Sequence, residues 1–203
     1  MNQWTIPLWG FTFLIACFAG VCAANEMIED KTTGKTFPVN VTFTYEGNGY
    51  DLKATGAATR KKLFIKIYSI AHYMQDPSAL KEGNIYDDII NSDKAKQLTA
   101  KWVRSVDQER FKKGYLASFK KAVPPQLLTQ LRPTFDQFLT FFGEVSKNDT
   151  QVIRSLPGGV VIVEINGVET GRIQNEEFAK ALWSIWFGPN SIVNRKDLVS
   201  QLQ

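Results

Sequence analysis

The chain has 203 residues and a formal net charge of +4, with 44% hydrophobic, 12% aromatic and 22% charged side chains. That composition excludes a disordered chain, a collagen-like repeat and a disulfide scaffold, and the length suits one domain with a sizeable core. The small positive charge bears on solubility; a nucleic-acid partner would call for a continuous basic stripe and a recognisable motif, so none is expected.

Residues 1–24 contain no charged side chain, whereas 26–35 contain Glu26, Glu29, Asp30, Lys31 and Lys35. Residues 8–21 are almost all apolar, and Ala23 and Ala24 follow them. This is the layout of a secretory signal peptide over 1–24, cleaved after Ala23 or Ala24. Two alternatives stay open: a lipoprotein signal at Leu14-Ile15-Ala16-Cys17, with Cys17 lipidated, and an uncleaved anchor. All three imply export, to the periplasm or the medium. Both cysteines, Cys17 and Cys22, lie in this segment. The remaining domain, 25–203, is therefore expected to lack disulfides, thiolate nucleophiles and zinc–thiolate sites.

Residues 25–36 are polar and read as a short leader. From 38 to 46, Val39, Val41, Phe43 and Tyr45 alternate with polar residues, as in a half-buried strand. Gly47-Asn48-Gly49 marks a turn, and 50–54 return antiparallel. The Gly/Ala-rich piece 54–60 reads as a bend. Residues 63–74 form the longest strand candidate, apolar on both sides, so both should be covered, one by helices and one by something else. A linker with a short helix follows over 87–96, then a strand over 97–106.

A helix capped by Ser105 or Asp107 carries Phe111, Tyr115 and Phe119 on one stripe. Pro124-Pro125 ends it. A second helix covers 126–142, where Pro133 should split or kink it. Residues 160–165 and 168–173 flank Asn166-Gly167, a strong hairpin signal. A third helix opens at Asn175 with Glu176 and Glu177 in its first turn, and Gly188-Pro189 ends it. A short amphipathic helix is expected over 195–202. Strands, helices, hairpin and helices in that order make an α+β fold: a mainly antiparallel sheet with helices on one face.

Few residues can do chemistry. The one histidine, His72, lies in an apolar strand and reads as structural. No G-x-S-x-G elbow, P-loop or dinucleotide fingerprint is present, and no metal or cofactor is expected. The informative pair is Arg60 and Tyr68. With strand parity kept from Arg60 onward, both face the side of Phe64, Ile70 and Met74. A guanidinium can hold a carboxylate by two parallel hydrogen bonds, a phenol can add a third, and apolar neighbours can take an acyl chain or rings. The alternative is a surface arginine and a core tyrosine that never meet. Lysine pairs at 61–62, 112–113 and 120–121 are solvated edges first, and would also suit peripheral contact with an anionic membrane.

The ordered set GAATRKKLFIKIYSIAHYM, the helix pair ending in FLTFF, the PGG and NG turns and the closing FAKALWSIWFG resemble the chalcone isomerase-like family, in its exported bacterial branch, from about Thr55 to Leu202. The resemblance implies an open-faced β-sandwich with a ligand cleft between a large sheet and a helical layer. It implies one of two functions: intramolecular closure of a chalcone to a flavanone, or binding of a fatty acid without catalysis. In both, an arginine after a Gly-rich bend points into the cleft, and Arg60 matches it. Tyr68 stands where the enzyme has a threonine, as in the fatty-acid-binding type. Tyr115 matches the enzyme's helix tyrosine, but its asparagine is missing, and Ala179 stands where it has Thr or Ser. With those positions gone, few donors remain to meet a developing oxyanion. The expectation is a binder of a small amphiphilic anion, above all a fatty acid, with Arg60, Tyr68, Phe64, Ile70 and Tyr115 at the ligand and no catalytic residue. An intramolecular lyase acting on an enone is the alternative.

Overall fold

The computed structural model describes residues 26–80 and 83–202; the expected signal peptide and Cys17 lie outside them. Seven strands form one antiparallel meander: β3 (Asn40–Tyr45), β4 (Asn48–Lys62), β5 (Ile65–Met74), β6 (Lys96–Trp102), β7 (Thr150–Leu156), β8 (Val160–Ile165) and β9 (Val168–Gln174). Each strand pairs with the next in sequence. The architecture is the expected α+β fold.

Four helices, α1 (Ile85–Asn91), α2 (Gln108–Ala122), α3 (Pro125–Thr140) and α4 (Glu176–Phe187), contribute to a core on one face of the sheet. Their ends follow capping rules. The Asp107 carboxylate accepts from the Arg110 amide at 2.9 Å, and the Asn175 side chain accepts from the Phe178 amide at 2.9 Å. Phe119, Phe135, Phe138 and Phe178 interlock at the centre of this layer. Pro133 sits inside α3 on its solvent face without ending the helix, since a carbonyl freed there can bond water.

The other face is closed by residues expected to be a leader. They form a hairpin, β1 (Met27–Asp30) and β2 (Lys35–Pro38), that buries Ile28 and Phe37 against Leu52, Ala71 and Tyr73. The sequence shows no long alternation there because each strand has only four residues. Asp30 fixes the hairpin to the sheet. Its carboxylate accepts from Ser69, Thr59 and Thr33 hydroxyls and from the Thr32 amide. Burial pushes this carboxyl up, but the four hydrogen bonds outweigh it and hold the group below its ordinary value.

Three more expectations change. Residues 54–60 continue β4 with a bulge at Thr55 rather than leaving the strand, and the C-terminal segment packs on them. A Cβ at Gly56 would stand 2.2 Å from the Asp197 carbonyl oxygen. That segment holds only a 3-10 turn, Asp197–Val199, in place of a helix. Finally, β5 starts at Ile65, and Leu63-Phe64 form a tight turn from β4.

His72 is structural, as expected. It is buried against Phe187, with Nδ1 2.7 Å from the Thr55 hydroxyl, which also donates to the Leu198 carbonyl at 2.6 Å. Burial, and then the charge of Lys96, hold the imidazole well below its usual pKa, so it stays neutral.

Candidate ligand-binding site

The site is built from a row across three strands. In the pairing register Arg60 on β4 stands opposite Tyr68 on β5, and Tyr68 stands opposite Trp102 on β6. Side chains at paired positions share a face. Arg60 and Tyr68 are therefore neighbours, although not by the parity argument. The chain between them turns back at Leu63-Phe64, and β5 carries a bulge there. Arg60 pairs with Tyr68 but Lys61 pairs with Lys66, leaving Ile67 as the extra residue. A bulge turns consecutive side chains toward one side, and Ile65, Ile67 and Tyr68 all line the same cavity.

That cavity measures about 270 Å³ and lies between the β4–β6 end of the sheet and α2 and α4. Its walls are Ile65, Ile67, Trp102, Phe111, Tyr115 and Ile185, and Arg60, Lys62, Arg104 and Arg110 supply positive charge. Arg110 pairs with Asp107. Among the described residues no carboxylate pairs with Arg60, Lys62 or Arg104.

Arg60 is half-buried and held by its neighbours. Its Nη1 donates to the Ile192 carbonyl at 2.7 Å, which fixes the guanidinium and leaves its other N–H groups for a ligand. Tyr68 is buried; its hydroxyl accepts from Trp186 Nε1 at 3.2 Å and still has its own proton to donate. Burial raises its pKa, while the Trp186 hydrogen bond and the Arg60 charge act the other way, so the phenol stays protonated at neutral pH. Tyr115 lines the same cavity, with its hydroxyl accepting from Gln151 Nε2 at 2.7 Å. Burial, followed by the nearby Tyr68, pushes this phenol upward as well.

Two residues expected at the ligand are elsewhere. Phe64 is 99% exposed at the β4–β5 turn, because the chain reverses where continuous parity would have carried it inward. Ile70 is buried in the core beneath the helices and is not part of the cavity wall. Sequence reasoning missed Trp102, Arg104, Arg110 and Gln151. Trp102 lines the cavity, and its indole Nε1 is buried without a partner among the described residues. Gln151 Oε1 is also buried and unpaired. Trp102 had shown only as an apolar position in an alternating strand, and pairing to Tyr68 is what reveals it.

Arg60 and Tyr68 thus place hydrogen-bond donors side by side at an apolar cavity that the Trp102 ring helps to wall. Donors without a competing acceptor favour an anion, and an apolar wall favours the rest of an amphiphile.

The family model described as chalcone isomerase-like matches residues 31–199. The chain belongs to the chalcone isomerase-like family. Among solved structures, this family member is similar to the fatty-acid binding protein of Arabidopsis thaliana, with a TM-score of 0.69 at 16% identity over 86% of this chain and 96% of that one. A search of curated proteins gave no match. At that identity the likeness establishes the fold.

Proposed function

We propose that this protein binds a small amphiphilic carboxylate, a fatty acid above all, with its head group on Arg60 and Tyr68 and its chain among Ile65, Ile67, Trp102, Phe111 and Tyr115. The observation that carries this reading is the Arg60–Tyr68 pair across β4 and β5 at the cavity, with no carboxylate among the described residues paired to the guanidinium. A charge-assisted, two-pronged hydrogen bond to an anion is the strongest polar contact such a pair can make. The Arabidopsis neighbour, named for fatty-acid binding, supports the same ligand class. At about 270 Å³ the cavity is near the small end of ligand pockets, which run from about 300 to 1,000 Å³, so medium-length acyl chains should fit best.

The same site argues against chalcone closure. That reaction needs donors arranged around a developing oxyanion and a held phenolate. Here Tyr115 is tied to Gln151, and the late helix contributes the apolar Ile185 to the wall, Ala179 lying outside it. Export, with residues 1–24 removed, belongs to this reading and would place the protein among envelope or external lipids. Native mass spectrometry of protein purified from cells, followed by titration with fatty acids of about 8 to 16 carbons, tests the proposal. Recovery of a bound acid and its loss in Arg60→Ala are expected. Failure to bind any acid, or equal binding by Arg60→Ala, would refute it. Acceleration of chalcone cyclisation over the spontaneous rate would favour the enzyme reading.

A further inference from the structure

Among the described residues, five large apolar side chains are markedly exposed, and three are consecutive: Leu63 at 87%, Phe64 at 99% and Ile65 at 46%. They form the tip of the β4–β5 hairpin. Isolated exposed apolar residues are ordinary, but a run at a protruding turn is not. Leu63 also has φ +55°, a left-handed conformation that a two-residue turn normally gives to glycine or asparagine. A bulky apolar side chain thus occupies the position least suited to it on local grounds.

The tip is surrounded by one sign of charge. Lys61, Lys62 and Lys66 flank it, and all three are exposed. Lys66 donates to the Thr32 carbonyl at 2.6 Å, and none of the three has a carboxylate partner among the described residues. Lys62 and Ile65 also line the cavity, so the tip and the cavity share a rim.

We infer that the β4–β5 tip docks on an anionic lipid bilayer, with Leu63 and Phe64 entering the interface and the lysines meeting lipid headgroups. An apolar tip inside a basic ring combines the two attractions that hold peripheral proteins on such membranes. Docking there brings the cavity rim to the membrane surface. A fatty acid could then pass between bilayer and cavity without crossing bulk water. This last consequence rests on the proposed ligand, whereas the docking itself does not.

The test uses the full chain with vesicles of phosphatidylcholine containing about 30% phosphatidylglycerol, and with pure phosphatidylcholine. Amide hydrogen exchange locates the contact whatever residues 1–24 contribute. Exchange across 61–66 should slow about threefold or more on the anionic vesicles, and about 0.5 M salt should reverse the effect. The double variant Leu63→Asn, Phe64→Ser, which suits the turn's backbone better, should abolish that protection. It should also slow transfer of a fluorescent fatty acid out of vesicles about tenfold, while binding of the same acid free in solution stays unchanged. Tip exchange unaffected by vesicles, or equal protection in the double variant, would overturn docking. Absence of fatty-acid binding by the wild type would remove the ligand reading, leaving the exchange result to stand or fall by itself.

Discussion

The two faces of the large sheet are closed in different ways. On the hairpin face the charged groups are answered within the protein. Asp30 is ringed by hydroxyls and an amide, Arg154 pairs with Glu164 and Gln97, and Lys101 donates to the Thr36 carbonyl at 2.7 Å. On the helix face, near the end of β4–β6, Arg60, Lys62 and Arg104 stand at a cavity without a carboxylate partner among the described residues, and Trp102 Nε1 is buried and unpaired. Buried polar groups without a partner occur on both faces, Tyr73 Oη on the hairpin face among them, so the contrast lies in the cations: they are answered on the hairpin face, which reads as structure, and stand without an ionic partner at the cavity, which suits an anionic ligand.

The largest effect should come from breaking the hairpin face. Asp30→Ala leaves Ser69, Thr59 and Thr33 without their common acceptor and should lower stability by about 3 kcal/mol in denaturant unfolding. Fatty-acid binding by the protein that remains folded should not change. The pH dependence has a definite sign. The native Asp30 pKa lies below the unfolded value, so its contribution is complete above about pH 4 and fades as pH falls through the native value. The variant should lose that part of the acid limb.

Arg60→Ala should do the reverse: affinity for a medium-chain acid falls about 10- to 100-fold in calorimetry, while stability changes little. A large stability loss with intact affinity would make Arg60 a structural residue tied to Ile192. Lys96 offers a control away from the cavity. Its ammonium donates to the carbonyls of Ile89, Ile90 and Ser92 at the end of α1, and burial, foremost, lowers its pKa to about 7. Lys96→Met should cost about 1–3 kcal/mol of stability with no change in ligand affinity.

The smallest effects should separate the phenol donor from the aromatic wall. Tyr68→Phe should weaken binding about 3- to 10-fold and also leave Trp186 Nε1 without its acceptor, costing about 1 kcal/mol. Trp102→Phe should leave affinity within about twofold of wild type and cost about 1–2 kcal/mol of stability, because its buried indole N–H does not reach the cavity and a core ring is made smaller. A loss of affinity of about tenfold in Trp102→Phe would contradict a purely apolar role for that ring.

Local signals in the sequence carried much of the fold. Asn166-Gly167 turns β8 into β9, and Asp107 and Asn175 cap α2 and α4 where expected. These signals act within a few residues, so they are legible without tertiary knowledge. The β4–β5 turn was not legible, since Lys-Leu-Phe-Ile contains no turn former and continues an apolar alternation. The bulge at Ile67 was equally hidden, and together they moved Phe64 out and Ile65 and Ile67 in. Arg60 and Tyr68 could be singled out by chemistry, but their meeting depends on register. Trp102 needed a second pairing, from β5 to β6, before it joined them. The β1–β2 hairpin escaped because four-residue strands leave almost no periodic trace.

The central claim is that the pair formed by Arg60 and Tyr68 receives the negative end of a ligand. A crystal structure of the protein with decanoate tests it most directly. The account predicts a carboxylate within about 2.7–3.2 Å of the Arg60 guanidinium and the Tyr68 hydroxyl, with the chain running toward Phe111 and Tyr115. A carboxylate held only by Arg104 or Arg110 at the surface, or a cavity left without decanoate at saturating concentration, would contradict it.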